Sequence, residues 1–190
     1  MDVHALLALV QGACADFEPV LDVTLHPEGE VCVRVRDLLP DTDPDPWELY
    51  VRWTEDFAHP LFGERYPCVE LALAVLATDP AHPDYHDVIA AYSAPVLDHQ
   101  RYVFGPSVGW DVDGGQLTAY AQVRDRGQGQ ALLGAELRDQ LRSMVALIYL
   151  ISFRVWQIEV RRRHPDGVRD VVVEAIWASL LQSLGGAPEL

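Results

Sequence analysis

From Ala135 to His164 the chain contains neither glycine nor proline, so nothing in this stretch asks the backbone to turn. Leu137, Leu141, Met144, Val145, Ile148, Ile151, Val155 and Ile158 recur at helical spacing and form one broad apolar face, and Tyr149, Phe153 and Trp156 begin a second. A helix this long and this apolar must be buried and rules out an all-β fold. Its longest apolar run lies between Arg142 and Arg154 and falls short of the roughly 20 residues needed to cross a membrane. One sheet covers one face of a helix. The second face therefore predicts a subunit or partner interface, with Ile148, Tyr149, Phe153 and Trp156 as the candidate contacts of a homodimer.

The rest of the chain supplies the sheet. Leu6, Leu9, Val10, Ala13, Cys14 and Phe17 place a first helix over Val3 to Phe17, which Pro19 would stop. The period then changes from 3.6 to 2. VLDVTL, the turn HPEGE, and VCVRVR form a hairpin with Val31, Val33 and Val35 on one face. The proline- and aspartate-rich DLLPDTDPDP reads as a loop, WELYVRWTED as a third strand, FAHPLFGERYP as a loop, and CVELALAVLA as a strand apolar on both faces. DYHDVIAAYSAPVLDHQRY is a helix kinked at Pro95. Asp113-Gly114-Gly115 joins two further strands, and after the long helix VRDVVVEAIWASLLQSL forms a last amphipathic one. The expected fold is α+β, an antiparallel sheet with helices packed on one face in the order α-β-β-β-β-α-β-β-α-α. It forms one domain over residues 1–190 with a C-terminal helical extension at about 165–185.

Charge narrows the partners. The net charge is −15; residues 1–100 hold 19 Asp/Glu against 4 Arg, and the remainder holds 10 of each. A negative surface repels phosphate backbones, which disfavours direct nucleic-acid binding and favours a basic protein partner. All 14 basic residues are arginine, which excludes a phosphate-loop lysine, a Schiff-base lysine and a lysine general base. Cys14, Cys32 and Cys68 are odd in number and far apart, as free thiols rather than a disulfide or zinc set. With Asp2 where a signal peptide carries positive charge, the expected location is cytoplasmic, with no membrane association.

Few motifs point to catalysis. Arg126-Gly127-Gln128-Gly129-Gln130-Ala131 fits the pyrophosphate loop of GNAT-type acetyltransferases, between a strand and a helix as that loop requires. An acetyl-CoA site would then use Arg126, Gly127, Gly129 and Ala131. That fold also needs a strand soon after the helix, and the residues from Ala135 to His164 offer no turn to reach one. Asp41, Asp43 and Asp45 imitate the start of a calcium loop, but Pro46 stands at its glycine position and Arg52 where the bidentate glutamate belongs. His82 and His86 lack the glutamate of a zinc-protease pair. Arg161 to Arg163 complement a helix C-terminus. The expectation is a protein without catalytic residues, cofactor or metal.

The stretch HDVIAAYSAPVLDHQRYVFGPSVGWDVDGGQLTAYAQV, followed by a loop and a long helix, resembles the YbjN family. The likeness is a helix with aromatic positions, an apolar-aromatic segment, an acidic-glycine hairpin turn, an alternating strand and a helix, and it spans roughly residues 18 to 160. It implies the fold of type III secretion chaperones, commonly homodimers that hold other proteins. On that reading the protein is an adaptor or chaperone-like module for a client, a basic nucleic-acid-binding protein having the complementary charge. The Asp41, Asp43, Asp45 loop is then the client-facing element.

Overall fold

A computed structural model describes residues 1–18, 20–36, 46–59, 63–77, 109–113 and 116–163, together with residues 80, 81, 83, 86, 89 and 90. Helix α1 spans Val3–Cys14. Asp2 caps it, its carboxylate accepting from the Ala5 N–H at 2.8 Å, which satisfies one of the first-turn donors. The helix ends before the expected Phe17, because Asp16 turns the chain with φ 63, a conformation aspartate tolerates better than most residues.

Strands β1 (Val20–Leu25) and β2 (Val31–Val35) form the expected hairpin. His26 donates to the Glu30 carbonyl at 2.7 Å, and Gly29 takes φ 84 in the turn. Strands β3 (Trp47–Ala58) and β4 (Arg65–Ala77) follow, then β5 (Gly109–Asp113) and β6 (Gln116–Arg124). All pairings are antiparallel, in the order β1-β2-β3-β4-β6-β5. The fold class is α+β.

Strand β4 starts three residues earlier than the sequence reading placed it and runs through Pro67. The register of β3 and β4 shifts between Thr54 and Phe57, opposite Pro67, so a residue without an N–H is accommodated at a bulge instead of breaking the ladder. Of the helix expected after β4, His86, Ile89 and Ala90 are helical and the remainder lies outside the described residues, as does the C-terminal helix.

The registers sort side chains into two faces. Val31, Val51, Leu71 and Ala121 lie in one row across the sheet, and Val33, Leu49, Leu73 and Ala119 in the next; all are buried. Leu6, Val10 and Ala13 of α1 join them in one core with Leu133, Leu137, Leu141, Met144 and Ile148 of the long helix α2 (Gln130–Arg163). Arg138 ties the two helices together, donating to the carbonyls of Gly12 at 3.1 Å and Ala13 at 3.2 Å, two acceptors that the end of α1 leaves without helical partners.

Around its middle α2 is buried on every side: Gln140, Ser143, Leu147 and Leu150 are as covered as Met144 and Ile151. This corrects the expectation drawn from its apolar excess. The cover comes from within a single chain.

Candidate protein-binding surface

The sites read from sequence have different fates. Ile148, Tyr149 and Phe153, offered as dimer contacts, are 0%, 6% and 3% exposed and belong to the core, which removes the ground for placing an interface on them. Trp156 lies in α2, with its side chain outside the described residues, and Asp41, Asp43 and Asp45 also lie outside them.

The glycine loop is described in full. Gly127 and Gly129 take φ 69 and 96, so the loop has the left-handed turns that its glycines permit. The Gly127 N–H, however, is already held by the Asp125 carboxylate at 2.8 Å. A carboxylate occupies the donor that a pyrophosphate would need, and adds negative charge there. Arg126 pairs with Glu136 at 3.7 Å. The hollow lined by Arg126, Gly129 and Leu133 has a volume of about 10 Å³, too small for a phosphate. Ala131 instead lines a groove of about 770 Å³ between α1 and α2, together with Ala8, Gly12 and Ala135, so the four motif residues do not converge on one cavity. The helix after the loop runs unbroken to Arg163.

The thiols are protected. Burial pushes Cys14, Cys32 and Cys68 each up to about 11, where little thiolate exists near neutrality. Among the described residues no group of three metal-ligating side chains occurs, and no helix is long and apolar enough to cross a membrane.

Two further surfaces among the described residues belong to the sheet. The sheet face away from the helices carries the row Cys32, Tyr50, Ala72, Tyr120 and, beside it, Arg52, Glu70 and Gln122. Arg52 pairs with Glu70 at 3.1 Å, Glu70 also accepts from the Thr54 hydroxyl, and Arg34 pairs with Asp22 at 3.1 Å. Tyr50 donates to Glu48 at 2.6 Å, a bond that, with partial burial and the Glu48 charge, pushes its phenol up to about 12. Its charged side chains pair with one another across the strands, and Cys32 and Cys68 are buried among them.

The second region is β1, at the end of the sheet. It carries Leu21 and Leu25, 45% and 41% exposed, two of the few large apolar side chains left in solvent among the described residues. Sequence reading assigned β1 correctly but missed its position, because strand order is set by long-range pairing that a local period does not encode.

No protein-family model, curated protein or solved structure matches this chain. What the edge strand can do is therefore argued from its own chemistry. A strand at the end of a sheet presents unpaired N–H and C=O groups that another strand can complete, and apolar side chains beside them add affinity.

Proposed function

We propose that the protein is a non-catalytic, protein-binding adaptor or chaperone-like module, a cytoplasmic homodimer of the YbjN and type III secretion chaperone-like kind that holds or regulates a client protein. The observation that carries this reading is an open edge strand with two exposed leucines on a chain of net charge −15. Apolar edges are aggregation hazards that proteins ordinarily cover or charge, so an exposed one fits the homodimer of this reading, in which a second copy completes it, and leaves the client to the acidic surface. The acidic excess of residues 1–100 repels nucleic acid and attracts a basic polypeptide, which makes a basic nucleic-acid-binding protein the fitting class of client and the Asp41, Asp43, Asp45 segment its electrostatic lure.

The test compares a fluorescent poly-arginine peptide, an equally long poly-glutamate peptide and acetyl-CoA on one preparation. The reading expects salt-sensitive binding of the basic peptide, none of the acidic one, and a melting temperature indifferent to acetyl-CoA. A clear upward shift with acetyl-CoA overturns it in favour of an acetyltransferase. Binding that survives replacing Asp41, Asp43 and Asp45 by asparagine removes that loop from the account.

A further inference from the structure

The hairpin geometry says which backbone groups of β1 face outward. His26 and Glu30 are a hydrogen-bonded pair, and because such pairs alternate along an antiparallel ladder, Thr24 with Cys32 and Asp22 with Arg34 are the next ones. Val23 and Leu25 therefore direct their N–H and C=O groups away from β2. The Gln11 side chain confirms this for one of them, reaching the Val23 carbonyl at 3.4 Å, a long and weak bond. Leu21 stands at the register shift between Val20 and Asp22. By strand alternation Val23 and Leu25 share the helix-side face, where Val23 packs against the core, and Leu21, the residue at the bulge, follows Val20, which packs against the same core.

We infer that β1 pairs antiparallel with β1 of a second copy, about a two-fold axis through Val23, so that two six-stranded sheets become one. This rests on the homodimer reading above and assigns its interface. The register follows from chemistry. Centred on Val23, Leu21 lies opposite Leu25 of the second copy, Leu25 opposite Leu21, and Asp22 opposite Thr24. Both exposed leucines of each copy are covered, and the aspartate faces a hydroxyl. Centred on Asp22, two carboxylates would oppose each other, which is destabilising. Centred on Thr24, Leu21 would stay in solvent. The Val23 register also keeps the helices of both copies on one side, joining Val23 and Leu25 of both copies into a row that extends each core across the axis. An isologous contact of this kind closes on itself, so the open edge is used up without leading to fibres. A single strand pair buries less than the roughly 800 Å² per partner of a standard interface, so the dimer dissociates on dilution.

The register is testable by cross-linking. Residues opposed in a hydrogen-bonded pair have Cα atoms about 5.5 Å apart, inside the range of about 4.4–6.8 Å that a disulfide spans. Two copies of Leu21 are offset by four residues, about 13 Å along the strand, and cannot be bridged. Leu21→Cys and Leu25→Cys are prepared separately, mixed, and oxidised, with light scattering on the wild-type chain run alongside. Both positions are exposed, so neither variant threatens the fold, and the native thiols are buried. The expected result is a disulfide-linked dimer from the mixture and none from either variant alone. A concentration-independent monomer overturns both the homodimer and this interface. A wild-type dimer whose mixture does not cross-link overturns this interface alone and leaves the homodimer to another surface. Cross-linking of either variant by itself contradicts the register.

Discussion

The middle of α2 and the strand β1 are both rich in leucine, isoleucine and valine, yet one is buried on every side and the other leaves Leu21 and Leu25 in solvent at the end of the sheet. Composition does not distinguish them. What does is the number of neighbours topology supplies: a helix laid across a sheet inside the chain can be enclosed all round, whereas an end strand has a partner on one side only. An apolar surplus in the sequence therefore marks where cover is needed, and only the fold says whether the same chain provides it.

Substitution should separate the two regions sharply. Ile148→Ala is expected to cost about 2–5 kcal/mol, read as a lowered urea midpoint, because it opens a cavity in a packed core. Leu25→Ala should stay within about 0.5 kcal/mol, measured at concentrations where the protein is monomeric. Equal losses at the two sites would break the comparison.

Charging the edge should act on assembly and spare the fold. Leu21→Lys and Leu25→Lys are each expected to abolish the dimer in light scattering while leaving the melting temperature of the dilute protein near that of the parent. A variant that unfolds would place these leucines in the core after all.

Alkaline titration probes the buried side of the comparison. The folded thiols of Cys14, Cys32 and Cys68 are held near 11, against an ordinary 9.0, by burial. Below pH 9 folded and unfolded chains are equally protonated there, and the stabilisation is complete. As pH rises from 9 toward 11 the unfolded chain loses protons that the folded one retains, so stability declines across that window. Alkylation near neutrality, followed by mass, should correspondingly be slow until denaturant is added.

The smallest effect concerns α2 itself. Ser152 is buried with its hydroxyl unpartnered, so Ser152→Ala should be neutral or slightly stabilising in the same urea assay. A loss comparable to Ile148→Ala would show a hydrogen bond that the structure does not contain.

Much of the fold is legible in the residues. The alternation of Val31, Val33 and Val35 identifies β2, Asp113 and Gln116 bound a hairpin, and the run after Ala135 is one helix because nothing in it turns. What was not legible depended on distant partners. Pro67 reads as a loop until its place opposite a bulge is known, and Tyr149 and Phe153 read as interface until their burial is seen. The motif from Arg126 to Ala131 satisfies a pattern while Asp125 takes its donor and Ala131 lines another groove. The candidate edge left a faint trace, since Leu21 and Leu25 sit in a period-2 strand whose neighbours only the topology reveals.

Amide hydrogen exchange followed against protein concentration tests the central claim, that α2 is covered from within and β1 from outside. The amides of residues 143–152 and of Thr24, which faces β2, should be protected at every concentration, whereas those of Val23 and Leu25 should exchange fast in dilute solution and slow as the protein is concentrated. Fast exchange in the middle of α2, or outward β1 amides indifferent to concentration, would contradict the account.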